Sequence, residues 1–324
     1  MGARKKQIRN SRCLVAGGSG FIGARVVDLL LDEGAQEIVI AGRAAGSINN
    51  PRARYVICDL AQERSVAVIK NLGAFDYVFN LIGVTDQRMP HPNPIELFDA
   101  NVRTLIHLTR GIAWKNIAGA VHVGSSAEYG SHALPHREDM SSDSTNMYGW
   151  SKADASLYAR IMTKSGFAKW CVARPFFVYG PGRQNGFVFD LIASLTQGKK
   201  FTIAGNSTRD PVFVDDVAAG LVRLALCDRA AGEIVNICGG KEVSMMRIAE
   251  MVKRKIGKGK IAVTSRARPG DIPRSRGSVK KLKALTGWGP SISLSEGLDT
   301  TIKTMKPEIS PTMSLRGGFR RSNL

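Results

Sequence analysis

Nine residues near the start of the chain, Val15-Ala16-Gly17-Gly18-Ser19-Gly20-Phe21-Ile22-Gly23, constrain the fold more than any other stretch. They join an apolar strand-like run, Cys13–Ala16, directly to an apolar helical pattern, Phe21–Leu31. Gly18, Gly20 and Gly23 fit the spacing Gly-x-Gly-x-x-Gly. Glycines so spaced allow a tight turn, a close approach of backbone to a diphosphate, and close packing of helix on strand. The diphosphate then rests on the N–H groups that open the helix, where the helix dipole is positive. The turn therefore predicts a unit that holds a dinucleotide carrying hydride.

The first half of the chain repeats this alternation. Apolar runs at Cys13–Ala16, Glu37–Ala41, Tyr55–Cys58, Tyr77–Leu81, Ala120–Gly124 and Trp170–Arg174 predict strands. Amphipathic stretches at Phe21–Leu31, Gln62–Leu72, Pro94–Ile112 and Met147–Ser165 predict helices between most of them. Such alternation gives a parallel sheet with helices on both faces. The expected fold is α/β: a Rossmann-type doubly wound parallel sheet with a smaller, mixed α/β C-terminal lobe. The expected boundaries are a basic N-terminal tail at 1–12 and a dinucleotide-binding domain at 13–174, to which 211–238 returns. A substrate-binding lobe follows from 175–210 and 239–305, then a disordered basic tail at 306–324. Ligands of such sheets bind beyond the carboxyl ends of the strands. The glycine turn, Asp59, Gly83, Ser126 and Arg174 all fall at such ends.

Two of those ends lead to candidate chemistry. Tyr148 and Lys152 are four apart in a helical pattern and share a face. An ammonium beside a phenol favours the phenolate, so Tyr148 is expected to exchange its proton near neutral pH. Ser126 can hold a substrate oxygen against that phenol. Tyr-x-x-x-Lys alone is also an ordinary surface pair; its place after a glycine turn and a strand ending in serine gives it weight. At the end of the second strand stands Ala41-Gly42-Arg43. An acidic residue there would bind ribose hydroxyls, whereas an arginine suits a 2′-phosphate. NADP(H) is the expected cofactor and NAD(H) the alternative.

Composition narrows the class. No apolar run reaches membrane-spanning length, and Met1–Arg12 lacks the apolar stretch of a secretory signal, so a cytoplasmic enzyme is expected. The five cysteines (13, 58, 171, 227, 238) show no metal-type clustering and read as reduced thiols. The five histidines (91, 107, 122, 132, 136) also lack ligand spacing, and no metal site is expected. The net charge is +19. Residues 1–12 hold five bases and no acid, 253–283 twelve bases against Asp271, and 306–324 four against Glu308, which together account for the whole excess. This charge suits a funnel for an anionic substrate, a nucleic-acid surface or a solvated basic face. No aromatic-basic stacking motif accompanies it, which argues against nucleic acid.

With these residues in view, the chain resembles the extended short-chain dehydrogenase/reductase family, the NAD-dependent epimerase/dehydratase group acting on nucleotide sugars. In that family's spacing the turn is Gly17-x-x-Gly20-x-x-Gly23. Other matching segments are Cys58-Asp59-Leu60, Asn101-Val102, Gly124 to Gly130, Arg174 to Gly182, Thr208-Arg209-Asp210, Val214 to Ala218 and Arg268-Pro269-Gly270-Asp271. The likeness covers roughly residues 12–305.

The resemblance implies catalytic roles for Ser126, Tyr148 and Lys152. It implies cofactor contacts from Gly17, Gly20, Phe21, Ile22, Gly23, Arg43, Asp59, Leu60, Leu81, Ile82, Gly83, Tyr148, Lys152 and Pro175. For the substrate it implies Ser125, Glu128, Phe177, Arg209 and Arg268, the two arginines clamping a diphosphate. Phe177 replaces the family's usual asparagine, and Ala127 replaces one of the acids that dehydratases carry. The short Ser126-Ala127-Glu128-Tyr129-Gly130 segment resembles that of 4-keto-6-deoxy sugar reductases. The implied activity is therefore an NAD(P)-dependent oxidoreductase at C4 of a nucleoside-diphosphate sugar, with reductase first and 4-epimerase as the alternative. A homodimer through the helices at 94–112 and 147–165 is also implied.

Overall fold

The computed structural model describes residues 7–87, 90–265 and 269–309. Seven parallel strands form the main sheet: β1 (Arg12–Ala16), β2 (Glu37–Gly42), β3 (Ala53–Ile57), β4 (Tyr77–Asn80), β5 (Gly119–Val123), β6 (Trp170–Pro175) and a late strand, Ile234–Ile237. Their order across the sheet is late strand-β6-β5-β4-β1-β2-β3, with every neighbour parallel. This is the doubly wound α/β arrangement expected from the sequence.

Successive residues of these strands face opposite sides of the sheet. Cys13, Val15, Ile38, Ile40, Tyr77, Phe79 and Val121 pack on one face, while Leu14, Ala16, Val39, Ala41, Val78, Ala120, Trp170 and Val172 pack on the other. Both faces are covered by helices, so the strands read as continuous apolar runs. The helices are α1 (Phe21–Asp32), α2 (Ser65–Asn71), α3 (Pro94–Phe98), α4 (Thr104–Gly111) and α5 (Met147–Lys164), followed by Val214–Ala225, which packs against α1.

Three departures from the expected elements have local causes. The helix expected over 62–72 starts at Ser65. The Asp59 side chain accepts the Ala61 N–H at 3.0 Å, and turns fill the residues between. The helix expected over 94–112 is interrupted by one wide π turn, Asp99–Arg103, between α3 and α4. Asn101 in that turn accepts from Val84 N at 3.1 Å and donates to Val84 O at 3.2 Å and Ser151 Oγ at 2.8 Å. The N-terminal boundary also differs. Ile8 is buried, the Ser11 hydroxyl donates to the Ile8 carbonyl, and Arg12 begins β1, so residues 7–12 belong to the folded body.

The smaller lobe has its own core of Leu191, Ile192, Leu195, Ile248, Val252, Leu298 and Ile302. It is knit by three short ladders. Phe177–Tyr179 pairs in parallel with Pro211–Phe213, and Lys200–Ala204 with Lys260–Thr264; Thr208–Arg209 pairs antiparallel with Val243–Ser244. Only Phe176 separates β6 from this lobe's first strand. Its N–H bonds to Ile237 O in the main sheet, and the next N–H bonds to Asp210 O in the lobe. The last helix runs from Leu294 to Ile309, past the boundary at 305 that composition suggested. The remainder of the expected C-terminal tail, 310–324, lies outside the described residues. No helix among the described residues is long and apolar enough to cross a membrane.

Candidate active site

A cleft of about 1220 Å³ runs between the carboxyl edge of the sheet and the smaller lobe. Its sheet side includes Ile22, Leu81, Gly83, Ser125, Ser126, Tyr148, Lys152 and Pro175. Its far side includes Phe177, Arg183, Phe187, Phe201, Arg209 and the 269–272 segment.

The glycine turn opens α1 at the end of β1. Gly17 holds φ +83°, a conformation that favours glycine, and a Cβ at Gly23 would lie 2.1 Å from the Gly17 carbonyl oxygen. Gly20 is the N-cap residue and supplies no side-chain bond, so the helix start faces outward with its N–H groups unspent by a cap. This cradle fits a dinucleotide diphosphate. Along the same edge, Arg43 is exposed just past β2. Asp59 and buried Leu60 follow β3, and Leu81, Ile82 and Gly83 follow β4.

The reactive group sits where β5 and α5 meet. Asn146 caps α5 by accepting the Gly149 N–H at 3.0 Å. Tyr148 follows, 6% exposed, with the Ser125 side chain near enough to its hydroxyl to favour the ionised form. Ser126, assigned first from sequence, is half-buried on the cleft wall beside that pair.

Lys152 is 3% exposed and lies one turn along the helix. Its ammonium donates to the Val123 carbonyl at 2.9 Å, not to the phenol. Burial pushes Lys152 down to about 8. Burial also raises Tyr148, and the nearby Ser125 side chain offsets this in part. Burial therefore opposes the lowering that a neighbouring ammonium would give, and Lys152 is turned to the backbone.

Glu128, expected at the substrate, is fully buried behind the cleft wall. It accepts from the Ser125 N–H at 2.8 Å and forms an ion pair with Arg174. The spacing Ser125-x-x-Glu128 is a capping box, and that pattern was the sequence signal for an inward-facing acid.

On the far wall Arg209 is held at Asp271 (2.5 Å) and the Ile272 carbonyl (2.7 Å). Arg268 lies outside the described residues. Phe177 stands in an apolar wall with Phe187 and Phe201, whose rings meet edge to face at 5.5 Å. Arg183 was not singled out by the sequence. It lines the cleft, lies 5.4 Å over the Phe21 ring, and influences Tyr148 electrostatically. Part of the late basic stretch is neutralised: Arg274 pairs with Glu242, Lys255 with Asp299 and Lys281 with Glu233.

A parallel α/β sheet with a glycine cradle at one strand end and a Ser-Tyr-Lys cluster at another defines a dinucleotide-dependent enzyme of the short-chain dehydrogenase type. The chain belongs to the NAD dependent epimerase/dehydratase family, whose sequence pattern matches residues 13–238. It is 30% identical over 304 residues to a putative UDP-glucose 4-epimerase of Methanocaldococcus jannaschii, covering 90% of this chain and 98% of that protein. It is 27% identical to a UDP-glucuronate 4-epimerase of Thermodesulfobacterium geofontis, covering 94% and 98%. Among solved structures, MoeE5 in complex with UDP-glucuronic acid and NAD superposes with a TM-score of 0.83 at 28% identity, covering 92% and 99%.

Proposed function

We propose that this enzyme is a nucleotide-sugar 4-epimerase, working on a nucleoside-diphosphate hexose or uronic acid through oxidation and re-reduction at C4. The observation that carries the reading is the buried Ser125–Tyr148 hydroxyl pair at the cleft, one turn from Lys152. The two related 4-epimerases, matched over nine-tenths of the chain, support epimerase over the reductase that the short serine segment suggested.

The bound nicotinamide supplies reversible hydride acceptance at C4. Tyr148 takes the proton of the C4 hydroxyl and later returns it. Ser125 holds the same oxygen, taking over the part first assigned to Ser126, and Ser126 lines the sugar pocket beside it. Lys152, at the end of a turn that faces the cofactor edge, holds positive charge close to the phenol and the ribose. Arg209 leaves Asp271 for the substrate diphosphate, a planar bidentate contact that suits a guanidinium. An epimerase regenerates its cofactor in each cycle, so NAD(H) suits this reaction. Arg43 at the end of β2 leaves the NADP(H) reading open to direct test.

Exposed Ile95, Phe98, Trp150, Leu157 and Ile161 lie on the neighbouring helices α3 and α5. The last three share one face of α5, and a second copy of the chain would cover them.

The test is incubation with UDP-glucose and UDP-glucuronate, with products read by proton NMR at H4. Appearance of the C4 epimer without added NADPH supports the reading. NADPH-dependent reduction of a 4-keto sugar with no epimer would replace it with the reductase.

A further inference from the structure

Behind the Ser125–Tyr148 pair lies a buried ion pair that the proposed chemistry does not touch. Glu128 is fully buried and Arg174 is 2% exposed. One carboxylate oxygen, Oε2, accepts from Arg174 Nε at 2.8 Å and Nη2 at 2.6 Å. The other, Oε1, accepts from the Ser125 backbone N–H at 2.8 Å and from Ser156 Oγ at 3.0 Å. Arg174 in turn lies 4.4 Å over the Tyr129 ring and reaches Ser142 Oγ at 3.3 Å.

Three carriers of the site therefore meet at one carboxylate. They are the serine turn after β5, α5 one turn beyond Lys152, and the carboxyl end of β6. The preceding strand leaves room for it: a Cβ at Gly124 would lie 2.4 Å from Oε1.

Stability alone is a weak reason for this arrangement. Taking two charges out of water is costly, and well-packed apolar residues of similar volume hold elements together as well or better. A charge-assisted bond to a backbone N–H does supply a fixed location. We propose that Glu128, anchored by Arg174, is a positioning residue for the C4 reaction, fixing the Ser125 backbone and through it the Ser125–Tyr148 hydroxyl pair. The proposal rests on the reading of Tyr148 as the proton-transfer group.

The charge of Glu128 also reaches that group. It raises the proton affinity of both Tyr148 and Lys152. The other charged groups around Tyr148 are Lys152 on its own helix, Arg183 from the segment after Tyr179, Arg174 behind Glu128, and Asp271 beside Ile272, which is tied to Arg209. With Glu128 neutralised, Arg174 is left uncompensated and acts on Tyr148 in the same direction, so the phenol should ionise at lower pH.

Two variants test this in the full chain with NAD bound. Glu128→Gln removes the charge. Glu128→Leu combined with Arg174→Leu removes the pair without stranding a buried charge, so it keeps the fold if the single variant does not. Both leave cofactor affinity in place. In the epimerase assay, kcat per folded molecule should fall about ten- to a hundredfold, with KM changed by less than about twofold.

A second readout needs no substrate. The ultraviolet tyrosinate titration, taken as the difference between each protein and its Tyr148→Phe counterpart, should shift to lower pH in Glu128→Gln. If the wild type converts no UDP-sugar, the functional reading fails and this titration alone decides the positioning role. Unchanged kcat in every variant that folds, a raised KM at unchanged kcat, or an unmoved titration midpoint would each overturn the proposal.

Discussion

The two walls of the cleft are built by different rules. The sheet side repeats one local unit, strand then helix, and its functional positions fall at strand ends or, for Tyr148 and Lys152, in the first two turns of a helix. The smaller lobe is assembled from pieces far apart in the chain: Phe177 meets Pro211, Lys200 meets Lys260, and Arg209 meets Val243. On the sheet side a residue's neighbours along the chain set its role. In the lobe a residue's role depends on partners it meets only after folding. Substitutions on the first wall should therefore act on chemistry and cofactor, and those on the second on substrate.

The sharpest test of that division is Tyr148→Phe, which keeps the ring and removes the proton. Turnover should fall by about two orders of magnitude or more, while NAD binding, measured by fluorescence titration, stays near wild type. Loss of cofactor binding together with turnover would mean the phenol supports the fold and not the chemistry.

Gly23→Ala is next. Its Cβ would meet the Gly17 carbonyl at 2.1 Å, so the turn must shift. Overpacking of this kind costs about 1–3 kcal/mol, and weaker dinucleotide affinity should accompany a lower Tm. A variant with wild-type affinity would show that the cradle tolerates displacement.

The pH profile bears on the same wall. Burial holds Lys152 near 8, below the usual lysine range. A cation with a lowered folded pKa is fully protonated below that value and neutral above it. Turnover that needs the ammonium should decline as pH rises through about 8, by about tenfold per unit at the limit. Lys152→Arg, charged throughout, should lose that limb if it folds and turns over.

On the second wall, Arg209→Ala should raise KM for UDP-sugars about tenfold or more, the worth of a charge-assisted bond to phosphate. NAD affinity should be unchanged. Equal loss of both would erase the distinction between the walls. The smallest effect is expected at Arg43, which is exposed. Arg43→Ala should weaken NADPH a few-fold relative to NADH if the side chain reaches a 2′-phosphate. Identical ratios in wild type and variant would remove that reading.

The sheet half was legible because its signals are short-range. The continuous apolar runs, the glycine spacing and the Tyr148–Lys152 step are all contained within a few residues. What escaped detection depended on distance. The nearness of Ser125 to Tyr148 appears only once the serine turn and α5 are seen together. Glu128 faces inward because of Arg174, forty-six positions later in the chain. Asn101 sits inside a helical pattern, where an asparagine is unfavourable, yet its three bonds to Val84 and Ser151 pull the helix into a π turn. The smaller lobe offered only its elements' mixed lengths, because its ladders of two, three and five residues are too short to leave a clear periodic trace.

The single residue between β6 and the lobe's first strand has a mechanical meaning. Consecutive amides at Phe176 and Phe177 are tied to opposite bodies, and the Phe176 ring is clamped by Tyr129, His136 and Cys238. The bodies cannot slide past one another at this point, since one peptide has no slack. Widening of the cleft would then turn about Phe176 together with the second direct crossing at Phe213–Val214, with small angular changes there amplified at the rim near Phe187 and Phe201. Substitution of Phe176 would then alter how fast substrate enters and product leaves, while the proton transfer at Tyr148 keeps its own rate.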